Sequence, residues 1–421
     1  MLCLNWKLSN IFYGWWVVGA CFLIAMVGCG VIFYGFTTIF EPIADEFGWS
    51  YAQISFAPAL RSLEMGLLAP LTGLLADRWG PRRLLFTGVV ITSLGLILLS
   101  RTTSLGMFYS IFALIAMGTS GISSTVLMRA VANWFRKKVG VAAGITMCGF
   151  GASGLLVFPI VRLINIFGWR TTIAILSLGV LGIGLPLSLL IRHKPEQHGY
   201  LPDGEANGAV IPTKNLVPKA AGRDIGARQA LKSSTFWHIS LAIMCFSMVE
   251  SAVITHIMPY LSSLGIARVM SGFIASAIPL LSIVGRFGFG WLGDKIDIKR
   301  IATGAFALMT LGLICFERIS SGEAWLLPFL ALFAIGYGGL NTIRAVLLTG
   351  YFGRGKLGTI YGCMMGVAMI GNITGPLLVG WVFDNQGSYQ GIWFVFAGLA
   401  ATALIIIATT PRVSSSHQLA K

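Results

Sequence analysis

The chain has 421 residues, of which 56% are hydrophobic and only 11% are Asp, Glu, Lys or Arg; a soluble domain usually carries about 25% charged residues, so this composition excludes one. The formal net charge of +15 does not point to nucleic acid, because the basic residues concentrate in every second connection between apolar runs, as the positive-inside rule requires of a membrane protein. The seven cysteines are scattered, nearly all inside apolar runs, with no CxxC and no His/Cys cluster, which argues against a disulfide framework, a zinc site or any other metal site, and no cofactor is expected.

From the N-terminus onward, apolar stretches of about 20 residues recur, the length that spans a bilayer as helix. The ~10-residue alternating segments of a membrane β-barrel do not occur. Twelve helical spans are predicted, at about 14–40, 51–76, 83–100, 106–132, 139–163, 170–191, 236–262, 271–293, 299–317, 324–351, 356–383 and 389–409. Lys7 precedes the first run and no small-residue cleavage site follows it within signal-peptide range, so the first span is expected to remain uncleaved. The first connection holds Glu41, Asp45 and Glu46. The basic connections hold Arg78, Arg82 and Arg83; Arg136, Lys137 and Lys138; Arg192 to Lys232; Lys295, Lys299 and Arg300; and Arg354 and Lys356. An even span count with basic loops inside predicts a multi-pass protein of the cell's inner (plasma) membrane with both termini in the cytoplasm. Residues 192–235 are polar, carry Pro195, Pro202, Pro212 and Pro218, and read as a flexible cytoplasmic linker. The linker divides an N-terminal six-helix bundle at 1–191 from a C-terminal one at 236–411, with a cytoplasmic tail at 412–421.

Residues 73–83 read GLLADRWGPRR and residues 290–300 read GWLGDKIDIKR, 217 residues apart. Gly73/Gly290, Leu75/Leu292, Asp77/Asp294 and Arg83/Arg300 match, and Trp134–Phe135 and Tyr351–Phe352 repeat at the same separation. Weak internal symmetry of this kind marks transporters built from repeated bundles. In each turn the aspartate is suited to accept from a neighbouring helix N-terminus or arginine, while the basic residues fix the cytoplasmic side. Asp77, Arg78, Arg82, Arg83, Asp294, Lys295 and Arg300, with Arg136 and Lys137, are the candidate cytoplasmic gate, a latch that closes that face; the competing reading is a plain topology signal. The fifth and eleventh spans are rich in glycine at spacings of four, including Gly140, Gly144, Gly358, Gly362 and Gly366, which lets helices approach closely and slide.

Both turns resemble the signature loop of the major facilitator superfamily, and the span count, central linker and termini fit that family over the whole chain. The resemblance implies an all-α membrane protein, twelve transmembrane helices in two six-helix bundles related by pseudo-two-fold symmetry. Gly14-Trp15-Trp16 is similar to the aromatic–glycine motif of the monocarboxylate porter family. Trp134-Phe135-Arg136-Lys137-Lys138, followed by Val141-Ala142, Gly144 and Gly149, resembles that family's signature entering the fifth span. Bacterial lactate/pyruvate transporters lie in this group, and oxalate–formate exchangers lie near it.

Ionisable groups inside spans are costly and normally face a water-filled cavity or a partner. Arg286 lies eight residues before Asp294, about 12 Å along the helix and hence near mid-membrane. The resemblance implies that an arginine at this place binds the substrate carboxylate, and a guanidinium suits that task through its paired, coplanar donors. Two departures stand out. Ser282 occupies the position where the animal members carry an aspartate, and the first span reads Tyr34-Gly35-Phe36-Thr37-Thr38 where they carry a lysine. The family's proton-coupling pair therefore cannot be carried over. His256, in the outer part of the seventh span, and Glu250, six residues earlier, are the proton-coupling candidates; Glu250 has the competing reading of an ion pair. Tyr337 and Asn341, one turn apart, with Tyr34 and His256, complete the candidate substrate contacts around Arg286. Arg61 and Glu64 read as an internal i, i+3 ion pair. Arg129 and Arg344 lie nearer the cytoplasmic ends, where long side chains snorkel.

The expected function is secondary active transport of small monocarboxylates such as L-lactate or pyruvate by alternating access, coupled to a proton, with the carboxylate held by Arg286. The partners are then a small carboxylate, a proton and the lipid bilayer, with no nucleic acid and with the single chain as the working unit. Organic anion exchange of the oxalate/formate type is the alternative within the class. An enzyme is disfavoured, since no HExxH and no nucleophile–base pair occurs. A non-transporting sensor on a transporter scaffold is the alternative from another class.

Overall fold

The computed structural model describes residues 12–135, 139–192, 227–293, 296–352 and 357–411. The predicted linker, tail and two of the basic turns fall largely outside these residues. The first helix, α1, runs Tyr13–Phe47 and is broken by a π-turn at Gly30–Tyr34. Then come α2 (Tyr51–Trp79), α3 (Pro81–Leu99) and α4 (Leu105–Trp134, interrupted after Gly121). A continuous run from Val139 to Leu190 holds two spans, α5 (139–167) and α6 (169–190). They are separated at Gly168, whose φ of 74° lies in the left-handed region that glycine adopts without steric cost. The second half is α7 (Ser234–Ser263), α8 (Arg268–Gly293), α9 (Ile298–Arg318), α10 (Leu326–Phe352), α11 (Leu357–Gln386) and α12 (Ile392–Thr409). Among the described residues ten stretches are long and apolar enough to cross a membrane, one of them holding both α5 and α6, and α2 completes twelve.

α1 continues seven residues beyond the predicted span end at 40 and takes in Glu41, Asp45 and Glu46, which the sequence placed in a connection. The polar segment stays helical because its carboxylates find partners on other helices. Glu46 accepts from Arg170 at 2.7 Å and from the Trp169 indole at 2.6 Å, and Glu41 pairs with Arg268 at 3.2 Å. α2 starts at a capping box in which Ser50 Oγ accepts from Gln53 N and Gln53 Oε1 accepts from Ser50 N.

The apolar side chains form two cores. One draws on residues 17–191; the other draws on residues 230–407 and takes in Tyr34 of α1 and Val157 and Val161 of α5. Between the halves, α2 packs on α11, α5 on α8, and the end of α1 on α7. α8 and α10 approach backbone to backbone: a Cβ at Gly338 would collide with the Ser282 carbonyl oxygen. Gly338→Val is therefore expected to force α10 off α8 and lower stability by about 1–3 kcal/mol. A fall in melting temperature of the detergent-solubilised protein reports this, and an unchanged melting temperature contradicts the packing.

Candidate functional site

Five of the predicted site residues come together where the halves face each other. The hydroxyls of Tyr34 on α1 and Tyr337 on α10 are 2.9 Å apart, both buried, and join the two bundles directly. One turn along α10, Asn341 donates to the Tyr337 carbonyl at 3.2 Å, and both side chains lie near Glu250 on α7. Arg286 on α8 is half-buried and makes one long hydrogen bond, from Nε to Ser282 Oγ at 3.5 Å. It lies within electrostatic reach of Tyr34, Tyr337, Cys29, Cys148 and Glu250, which come from α1, α5, α7 and α10. Arg344 also lies within electrostatic reach of Glu250.

His256 does not join this group. Its ring is fully buried, two turns further along α7, with Ser55 Oγ 3.0 Å from Nε2, the Pro376 carbonyl oxygen 3.0 Å from the same nitrogen and the Tyr389 hydroxyl 3.2 Å from Nδ1. A carbonyl only accepts, so Nε2 carries the hydrogen and Nδ1 accepts from Tyr389. His256 thereby ties α7 to α2 and α11, and both ring nitrogens are engaged.

That tie belongs to a seal across the end of the molecule opposite the basic turns. Arg268 at the start of α8 binds Glu41 at 3.2 Å and the Thr38 carbonyl, both on α1. Asp384 at the end of α11 accepts from the backbone N–H groups of Tyr51 and Ala52, each at 2.8 Å, and so caps α2 from the other bundle. Phe383 stacks on Tyr51 with ring centroids 4.3 Å apart. Beneath the seal, Tyr34, Thr37, Ile257 and Ile278 line a small apolar cavity. Sequence reasoning missed these closures. Arg268, Asp384 and Glu41 lie at span ends, where a charge carries no signal until its partner from another helix is known. Removing the cap with Asp384→Ala is expected to loosen this end, raising maleimide labelling of a cysteine at Ile257, in a background without other cysteines, by roughly fivefold. Labelling at the unaltered rate would show that the cap does not hold the seal.

At the basic end, Arg82, Arg83 and Arg300 are exposed. The side chains of Asp77 and Arg78, and residues Arg136, Lys137, Asp294 and Lys295, lie outside what is described, so the expected latch there is a proposal. The two aromatic motifs meet at this end. Trp15 packs edge-on against Phe135 at 5.0 Å, Tyr13 lies 5.1 Å from Trp134, and the Trp134 indole donates to the Arg192 carbonyl at 3.1 Å. They join the start of α1 to the ends of α4 and α6. Among the described residues no His, Cys, Asp and Glu cluster suits a metal ion.

The Major Facilitator Superfamily model matches residues 20–327 and 257–420, which together take in nearly the whole chain. The chain belongs to the major facilitator superfamily. It is a transporter and not an enzyme. Monocarboxylate transporter 12-B of Danio rerio is 26% identical, with 96% of this chain and 89% of that protein covered. Monocarboxylate transporter 13 of Bos taurus is 25% identical, with 94% and 89% covered. Such relatives agree with the porter family that residues 14–16 and 134–149 resemble. The crystal structure of a bacterial homologue of the human lysosomal transporter Spinster, inward-facing and occupied, matches with a TM-score of 0.71 at 16% identity. The match covers 96% of this chain and 95% of that one, a likeness of fold. The superfamily's two-bundle architecture agrees with the two cores and with the docking of α2 on α11 and α5 on α8.

Proposed function

We propose that this chain is a secondary active transporter of small monocarboxylates such as L-lactate or pyruvate, that it carries a proton in symport, and that Arg286 holds the carboxylate. The observation that supports this reading most directly is the setting of Arg286: a cation on a spanning helix, joined only to Ser282 among the described residues, beside hydroxyls from both bundles. An anion docking there satisfies the guanidinium and touches both halves, which couples binding to their rocking. The basic end is then cytoplasmic, and the seal at Glu41, Arg268 and Asp384 faces outward. The latch of Asp77, Arg78, Asp294 and Lys295 would form as the seal opens.

Glu250 is the proton acceptor in this scheme. Ionised, it competes with the substrate for Arg286 and Arg344; protonated, it leaves both cations to the incoming anion, so proton and carboxylate assist each other's binding. The test is uptake by purified protein in vesicles against a panel of radiolabelled carboxylates, with and without a pH gradient. Substrate-driven acidification supports symport, whereas strict counterflow without proton movement would replace it by exchange.

A further inference from the structure

We propose that Arg61 is a second cationic contact for the transported anion, supplied by the N-terminal bundle, and that it binds an oxygen on the carbon next to the carboxylate, as in a 2-oxo acid. The inference rests on the carboxylate-transport reading above and names the group that selects among carboxylates. Arg61 lies ten residues along α2 from Tyr51, about 15 Å from the helix start and so near mid-membrane. Its side chain is only 5% exposed. Nη1 donates to the Ile32 carbonyl at 2.8 Å, inside the π-turn that breaks α1, and the guanidinium lies 4.0 Å from the centre of the Phe33 ring. Among the described residues the buried Nε–H has no acceptor and no carboxylate pairs with Arg61.

A buried cation that leaves one donor unpaired, with no counter-charge among the described residues, is costly to hold. The expected Glu64 partner has its side chain outside the described residues. Arg61 is nevertheless fixed by two contacts to the broken helix that also carries Tyr34. Cys29, just before the π-turn, is within electrostatic reach of both Arg286 and Arg61. Guanidiniums from the two bundles therefore both lie near one short segment of α1. Their donor sets differ in a way that assigns the two ends of a ligand. Arg286 has its terminal donors available for the paired grip that a carboxylate favours. Arg61 has committed Nη1 to Ile32 and keeps its buried Nε–H, which has no acceptor among the described residues, as the donor offered to the neighbouring oxygen.

The experiment compares pyruvate with propionate, three-carbon acids that differ at the 2-oxo oxygen, as radiolabelled substrates for the purified full-length protein in vesicles. Wild type, Arg61→Gln, Arg61→Lys, Glu64→Gln and Arg286→Gln are measured, with melting temperatures and size-exclusion profiles confirming that each is folded. Wild type is expected to prefer pyruvate in kcat/KM. Arg61→Gln should lower that preference by roughly tenfold or more, because a site that hydrogen-bonds a substrate oxygen discriminates against the analogue lacking it. Arg61→Lys should retain part of it, Glu64→Gln should leave it unchanged, and Arg286→Gln should lose both substrates. A preference untouched by Arg61→Gln, an equal loss for both acids, or a Glu64→Gln protein that behaves like Arg61→Gln overturns the inference. Wild-type protein that carries both acids equally overturns it while leaving carboxylate transport standing. If neither acid is carried, both readings fall. Full activity in Arg286→Gln removes Arg286 alone, since the pyruvate-to-propionate ratio of Arg61→Gln is still decisive.

Discussion

Arg286→Ala is expected to abolish carboxylate uptake, by roughly 100-fold or more, while the protein still folds. The magnitude follows from removing one partner of a charge pair desolvated in the middle of the membrane, which costs several kcal/mol of binding. Folding should survive because Arg286 contributes to the resting structure only a 3.5 Å hydrogen bond to Ser282, with no carboxylate partner among the described residues. Arg286→Lys should fall between the two, keeping the charge but losing the paired coplanar donors. The measurement is initial uptake of labelled lactate and pyruvate into vesicles, set beside melting temperature. Undiminished uptake by a folded Arg286→Ala protein would remove the carboxylate-binding role outright.

Glu250→Gln is expected to separate transport from the proton. Glutamine keeps a hydrogen-bonding group facing Asn341 and Tyr337 but fixes the neutral state, so the carboxylate no longer competes for Arg344 and Arg286. Accumulation driven by an inward proton gradient should fall at least roughly tenfold, the loss of a coupling of about 1–3 kcal/mol. Counterflow of labelled for unlabelled substrate should persist and lose its dependence on pH. His256→Gln is the informative comparison. It breaks contacts to Ser55, Pro376 and Tyr389 in the seal, so it should alter the rate of opening while leaving gradient-driven accumulation in place. The reverse pattern, with His256→Gln uncoupled and Glu250→Gln coupled, would transfer the proton to the histidine.

The positions of the spans were largely legible in the sequence, because each helix in lipid must satisfy its own backbone and present apolar side chains over a fixed length. The one clear miss in extent was the end of α1, where Glu41 and Glu46 look like loop residues until Arg268 and Arg170 supply their partners. Arg286 could be placed by counting back from Asp294, since depth along a helix is a property of one chain segment. Which residues surround it could not be counted. Glu250 meets Arg344 and Asn341 through the packing of α7 beside α10, and Tyr34 meets Tyr337 across the two bundles.

His256 and Arg61 show the same division in opposite directions. A histidine in a span reads as a proton carrier, yet tertiary contacts occupy both its nitrogens and make it part of a seal. An arginine three residues from a glutamate reads as a local ion pair; the Glu64 side chain lies outside the described residues, while Arg61 reaches to the broken turn of α1. By itself the sequence determined the membrane class, the duplicated halves and the twelve spans, all of which follow from hydrophobic length and local spacing. Only the tertiary structure decided which charges face one another and which end is sealed. Those facts depend on how independent helices pack side by side, where a contact joins residues that no spacing along the chain relates.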